Sequence, residues 1–399
     1  MRHNRWLLPE GVQETLPPDS WMLEQARRRL LDLYWRWGFD LIRPPLIEYL
    51  ESLLTGTGRD LDLQTFKLTD QLSGRMMGVR SDMTMQAARI DAHRILAEGA
   101  ARYCYIGSVL RTRPEEPGGS RSPLQIGVEL FGHGGLESDL EVLSLLLETL
   151  KLMQVEGFYL DLGHVAVYRA LVEDAGLDAD SEAALFDIMQ RKSAPDLSAL
   201  VDNGQITPVL GDKLQRLVGM TGDASVLDEA EAAFAHESPR LARALADLRQ
   251  LTERLARHYP EVPVFIDLAE LRGYRYKTGV VFAAFAPGIG RELARGGRYD
   301  EVGAVFGRAR AATGFSADLN ALAAVGRFEP LEPAAAVFAP ADEDPALLAE
   351  IRRLRSAGRR VITGLPGRAE DAAAMGCNEE LVKVDGAWRI QFSQSARQG

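Results

Sequence analysis

Five segments of this 399-residue chain carry side chains able to grip a small charged molecule. They are Arg80-Ser81-Asp82-Met83-Thr84, Arg111-Thr112-Arg113, Leu124-Gln125-Ile126-Gly127-Val128-Glu129-Leu130-Phe131-Gly132, Leu271-Arg272-Gly273-Tyr274-Arg275-Tyr276 and Gly296-Gly297-Arg298-Tyr299-Asp300. A zwitterionic amino acid needs carboxylate, hydroxyl or amide groups for its ammonium and a cation for its carboxylate, pre-placed and largely removed from water. Asp82, Thr84, Gln125 and Glu129 can supply the first set and Arg272 the second. Each residue also has a plainer reading. Glu129 alternates with Val128 and Leu130, as on the solvated face of a strand. Gly296-Gly297 fits a tight turn requiring positive φ. Tyr276 and Tyr299 fit core or rim packing. The six histidines, His3, His93, His133, His164, His236 and His258, include no pair at ligand spacing, so no metal centre is expected.

Elements must hold these residues in place. Residues 20–37 carry Met22, Ala26, Leu30, Leu33 and Trp37 at helical spacing, with Ser20 as N-cap and Gly38 as the stop. Extended segments follow: 39–42 leading into Pro44-Pro45, a hairpin of 64–68 and 75–79, then 102–106, 109–113 and 124–131. The gap from Pro114 to Arg121 has the composition of a mobile loop. Helices resume at 137–154, and 181–258 reads as almost wholly helical, with breaks near Pro195, Pro208, Gly219 and Pro239. Strands return at 262–267, 278–286 and 311–315, followed by a helix over 318–325 and a linker at Leu331-Glu332-Pro333. The tail alternates strand, helix and strand, its last two strands (380–384 and 388–392) flanking Asp385-Gly386. This order predicts an α+β fold with a mostly antiparallel sheet flanked by helices, a helical insertion at about 170–260, and a small α/β appendage. The expected domains are 1–330 and 334–399.

Composition limits the function. With 46% hydrophobic and 26% charged residues the chain can bury a large core. A formal charge of −11 weighs against nucleic acid as main partner, since phosphate binding requires clustered Lys and Arg. Cys104 and Cys377 lie far apart, outside any disulfide or zinc pattern, which fits a reducing cytoplasm. The N-terminus has no apolar signal region, and no run approaches the ~18 apolar residues of a membrane span. No export, no membrane and no cofactor are expected.

Residues 9–328 resemble the class II histidyl-tRNA synthetase catalytic core, carried by five matches in order. Gly38-Phe39-Asp40-Leu41-Ile42-Arg43-Pro44-Pro45 with Glu48 looks like motif 1, which in relatives forms a dimer interface. Arg80 to Thr84 looks like the segment gripping the substrate amino group. Arg111 falls where motif 2 places the arginine for the ATP α-phosphate, and Gln125 and Glu129 fall where the family contacts histidine. Residues 272–276 and 296–300 match the two histidine-specific segments. The resemblance therefore implies a class II aminoacyl-tRNA synthetase-like fold, a homodimer, and a histidine-binding set of Asp82, Thr84, Arg111, Gln125, Glu129, Arg272 and Tyr276, with Glu129 or Tyr276 addressing the imidazole.

The departures are equally informative. Synthetases carry a glutamate two residues after the motif 2 arginine; this chain has Arg113. Ala321 replaces the motif 3 arginine that clamps the ATP γ-phosphate, a loss that typically costs orders of magnitude in rate. Gly119 replaces a loop arginine, Lys277 replaces the second tyrosine of the histidine segment, and the tail is shorter than an anticodon-binding domain. A synthetase-like core with broken adenylation resembles the regulatory-subunit family of ATP phosphoribosyltransferase. That resemblance implies no catalytic residues in this chain, a short-form catalytic partner in a hetero-octamer of four subunits of each kind, a place in the first step of histidine biosynthesis, and L-histidine as effector. The alternatives are a functional histidyl-tRNA synthetase and another synthetase-like module sensing amino acid or tRNA; a metal or nucleophilic hydrolase is the weakest.

Overall fold

A computed structural model describes residues 6–54, 59–96, 98–115, 119–274, 276–329, 336–367 and 371–393. Arg275, the middle of the Pro114–Arg121 gap and the Leu331-Glu332-Pro333 linker lie outside the described residues. The chain divides into two units, residues 1–329 and 330–399.

The first unit is organised by a nine-stranded sheet. In spatial order its strands are Asp40–Leu41, Ala101–Ser108, Leu124–Phe131, Ala312–Asp318, Ala294–Arg298, Val280–Phe285, Tyr159–His164, Val264–Asp267 and Thr221–Gly222. Only the pairings of Asp40–Leu41 with Ala101–Ser108 and of Tyr159–His164 with Val264–Asp267 are parallel. The fold is thus the expected class II synthetase-like arrangement: an antiparallel sheet with helices against it.

Asp19–Arg36 and Leu136–Leu152 bury Ala26, Leu30, Tyr34, Val142, Leu143, Leu146 and Leu150 in one core with the sheet residues Ile126, Val128, Leu160 and Phe315. The first helix has no side-chain cap: it follows Pro18, and Ser20 falls inside its first turn. The helical region is interrupted near Pro195, Pro208, Gly219 and Pro239 as expected, and the three prolines open Ala194–Asp202, Pro208–Gly219 and Pro239–His258 at their first or second positions. There a missing N–H costs nothing and the fixed φ suits the helix. Pro239–His258 turns Leu241, Ala244, Leu245, Leu248, Leu251 and Leu255 inward at helical spacing.

Three expectations from pattern need correction. Residues 109–113 are not a strand: the chain leaves the sheet after Ser108, and Arg111 makes an isolated bridge to Thr65. Gly296-Gly297 is not a turn but the middle of Ala294–Arg298. A Cβ on Gly297 would lie 2.5 Å from the Val280 carbonyl oxygen, so the glycine serves close strand approach. Leu124–Phe131 is covered on both faces, which is why its alternation misled: Glu129 is 1% exposed and faces no solvent.

The second unit has its own four-stranded sheet, ordered Val361–Thr363, Val337–Ala339, Glu379–Val384, Ala387–Phe392. The helix Pro345–Ser356 covers it through Leu347, Ile351 and Leu354. Asp385 and Gly386, both at positive φ, close its hairpin.

Candidate functional site

The site lies in the first unit, where the central strands meet the loops before Thr84–Ile90 and after Val264–Asp267. A cavity of about 670 Å³ opens there, lined among others by Asp82, Thr84, Arg111, Arg272, Tyr276 and Lys277. Beside it a cavity of about 320 Å³ shares Arg111 and Arg272 and adds Gln125, Arg291, Asp318 and Ala321. Gln125 and the first group are prearranged. Asp82 Oδ1 accepts the Thr84 backbone N–H at 2.6 Å, Asp82 Oδ2 accepts Gln125 Nε2 at 3.0 Å, and Gln125 Oε1 accepts the Met83 N–H at 3.0 Å. A carboxylate and an amide are thereby fixed in rotamer before any ammonium arrives, which lowers the cost of binding one.

Glu129 lines neither cavity. Its carboxylate accepts the Tyr105 hydroxyl at 2.8 Å and a short hydrogen bond from the Tyr299 hydroxyl. Burial raises its pKa to about 7, against the pull of hydrogen bonds from Tyr299, Tyr105 and Thr84. Two glycines make this arrangement possible. A Cβ on Gly127 would lie 2.5 Å from the Tyr105 phenol, and one on Gly314 would fall within the Glu129 carboxylate.

Three of the cavity arginines are paired within the chain. Arg111 Nη1 lies 3.0 Å from one oxygen of Glu115, and Arg295 Nη2 lies 2.5 Å from the other. Arg295 continues to Glu292 at 3.0 Å, Glu292 to Arg272 at 2.5 Å, and Arg272 to Glu270 at 3.6 Å. Three arginines and three glutamates therefore alternate along the wall between the two cavities. Burial pushes the Glu115 carboxyl up, but Arg295 and then Arg111 outweigh it and hold it below the usual range. Behind Glu270, the carboxylates of Asp161 and Asp267 come within 4.8 Å of it, and Lys192 pairs with Asp267.

Arg298 points away from the cavities and uses its whole guanidinium on Asp139 (2.8 Å), Ser138 (2.8 Å), Asp300 (3.1 Å) and the carbonyls of His133 and Gly135. It ties Ala294–Arg298 to the start of Leu136–Leu152. Of the segment 296–300, Gly296 reaches the larger cavity, Tyr299 seats Glu129, and Arg298 and Asp300 hold the frame.

Comparison with known proteins fits this geometry. Residues 11–322 match the histidyl-tRNA synthetase family model, and residues 334–391 match the ATP phosphoribosyltransferase subunit HisZ C-terminal domain. The ATP phosphoribosyltransferase regulatory subunit of Thioalkalivibrio sulfidiphilus is 56% identical over 381 residues, covering 95% of this chain and 96% of that protein. This chain belongs to the ATP phosphoribosyltransferase regulatory subunit family. The protein of that name from Methylococcus capsulatus is 52% identical over 390 residues, covering 97% and 96%. A solved ATP phosphoribosyltransferase regulatory subunit/histidyl-tRNA synthetase from Bacillus halodurans superposes with a TM-score of 0.81 at 26% identity, covering 94% of this chain and 97% of that one.

Within this regulatory-subunit framework, five of the seven residues singled out from sequence line the larger cavity, Gln125 lines the smaller, and Glu129 lies beneath. Sequence reading missed Glu115, Glu292 and Arg295 as site residues. Glu115 was absorbed into a loop, and Arg295 and Glu292 sit just before the Gly-Gly pair, where no pattern marks them. Ala321 lines the smaller cavity, so the position at which motif 3 supplies a cation in synthetases carries a methyl group, although Arg291 lines the same cavity.

Proposed function

We propose that this chain is the non-catalytic regulatory subunit of an ATP phosphoribosyltransferase, acting in the first step of histidine biosynthesis, and that its larger cavity holds L-histidine as feedback effector. The regulatory role follows from the named relatives. The site observation that carries the rest is Glu115 lying between Arg111 and Arg295. A nucleotide triphosphate would meet the motif 2 arginine already paired, whereas an amino acid needs a prearranged acceptor set and one reachable cation. Asp82, Thr84 and Gln125 provide that acceptor set, and Arg272 at the cavity wall, its side chain 46% exposed, is the cation that Glu292 and Glu270 share with the ligand carboxylate. A working synthetase is disfavoured by the same glutamate and by Ala321.

The partner in this reading is a short-form catalytic subunit, assembled as a hetero-octamer with four of each, in the cytoplasm. Its core is a homodimer formed through motif 1 and the long helix before it, where Trp35 of that helix and Leu41, Leu46 and Ile47 expose apolar surface. No helix among the described residues is long and apolar enough to cross a membrane. Calorimetry of the isolated chain with histidine, then transferase assays with catalytic subunit against histidine concentration, test the reading. Histidine binding together with histidine-sensitive activation supports it; absence of both overturns it.

A further inference from the structure

Lys277 is 6% exposed and lines the larger cavity. Its ammonium sits in a slot left by two glycines: a Cβ on Gly297 would lie 2.9 Å from Nζ, and one on Gly273 would lie 3.1 Å from Cε. Gly273 and Gly297 hold φ of +71° and +148°, so both positions are costly for any side chain. Among the described residues the ammonium donates one short hydrogen bond, to the Gly296 carbonyl. A lysine ammonium carries three protons, and burying the others without acceptors is expensive. The charged groups around it are Arg295, which opposes its charge, and Glu292, Glu270 and Glu129, which favour it. None of these carboxylates is hydrogen-bonded to it: Glu129 is committed to Tyr105 and Tyr299, and Glu292 to Arg272 and Arg295.

The cavity wall therefore presents a donor in want of an acceptor, and it favours a ligand with a lone pair and no positive charge on the group that meets it. We propose that Lys277 is the ring-recognising residue of this site, donating to a nitrogen lone pair of a neutral imidazole and excluding imidazolium. This rests on the histidine reading above and sharpens it: the chain selects one protonation state of its effector. Burial, helped by Arg295, lowers the Lys277 pKa to about 7, so its charge also titrates near neutrality. Affinity then has two limits. Below the ring pKa of ~6.5 the ligand must lose a proton to bind, and above about 7 the lysine loses the charge that strengthens its bond.

The test is histidine titration of the full chain by calorimetry from about pH 5.5 to 9, for wild type, Lys277→Met, Lys277→Arg and Glu129→Gln, each confirmed folded by its melting curve. Wild type should bind most tightly near pH 6.5–7, with an acid and an alkaline limb. Lys277→Met should bind ~10–100-fold more weakly and lose the alkaline limb. Lys277→Arg, always charged, should bind at high pH without that limb, and Glu129→Gln should keep it. Triazolylalanine, whose ring stays neutral in acid, should lose the acid limb. Histidine binding whose affinity and pH profile are unchanged in Lys277→Met overturns this inference while leaving the histidine reading standing. No histidine binding by wild type at any pH overturns both.

Discussion

Glu115 lies 3.0 Å from Arg111, so the arginine that the synthetase pattern reserves for a phosphate is neutralised by its own chain. The same carboxylate holds Arg295, and Ala321 lines the adjoining wall. An incoming polyphosphate would have to displace paired glutamates before gaining Arg111, Arg295 or Arg272.

ATP–pyrophosphate exchange with histidine should accordingly stay at the buffer background for the purified chain. Glu115→Gln should free Arg111 and yet leave exchange at background, because Ala321 stands where motif 3 places the γ-phosphate arginine and such a loss costs orders of magnitude in rate. Exchange rising with enzyme concentration in the wild type would refute the regulatory assignment.

Feedback should depend on the cavity's polar set. Asp82→Asn and Arg272→Ala each strand or remove a charge that the ligand would pair, at a cost of ~2–5 kcal/mol, or roughly 30-fold or more in affinity. Complexes with the catalytic subunit should keep turning over while resisting histidine. Inhibition curves identical to wild type would locate feedback on another surface.

Assembly gives an independent check. Leu46→Glu with Ile47→Lys would put charges on two half-exposed apolar positions of motif 1. Light scattering should find a dimer for wild type and a monomer for the double variant at micromolar concentration. A wild-type monomer would remove the isologous interface from the account.

The Arg298–Asp139 pair is buried at both ends, with side chains 8% and 0% exposed. Arg298→Met leaves Asp139 as an uncompensated buried anion, and denaturant unfolding should register a loss of about 3–5 kcal/mol. Removing both charges, as Arg298→Met with Asp139→Leu, should recover much of that. A change below ~1 kcal/mol in the single variant would show that the pair does not hold the frame.

Acid stability should report on His164, which is buried and accepts the Ala166 N–H at 3.2 Å. Burial, then Arg298, Arg240 and Arg169, lowers its pKa to about 3. Between the unfolded value of ~6.5 and that folded value the unfolded chain binds the extra proton, so stability is lost as pH falls, by ~1.4 kcal/mol per unit. Glu129 and Asp161, both raised to about 7 mainly by burial, act with opposite sign between their ordinary values and neutrality. The readout is therefore the difference between wild type and His164→Asn, whose amide can still cap the helix. The variant should be less sensitive to acid by about one proton, and parallel curves would contradict it.

Much of the fold was legible because long amphipathic helices and β-rich runs carry their period in the sequence. Asp19–Arg36 and Pro239–His258 are such helices. What failed had physical causes. Tyr159–His164 and Ala294–Arg298 went unread as strands because the second is rich in glycine and arginine, and the first contains an aspartate and a histidine that only the packed sheet accommodates. Asp82, Thr84 and Arg272 were found through their surroundings in known motifs, and they do line one cavity. The alternating glutamates and arginines were invisible because Glu115 and Arg295 are 180 residues apart, and sequence patterns see only neighbours.

Gly127 and Gly314 have a consequence for how such a chain can drift over generations. Each leaves no space for a methyl group because Tyr105 or Glu129 already occupies it. At Gly127 a side chain requires a shorter residue at 105 to precede or accompany it, whereas at Gly314 the Val128 carbonyl oxygen, 2.5 Å from the added Cβ, blocks a side chain whatever stands at 129. Single-step mutation of either glycine is closed, while the exposed wall residues remain open to it. A descendant with a different effector would more readily arise by altering the rim than by rebuilding the floor.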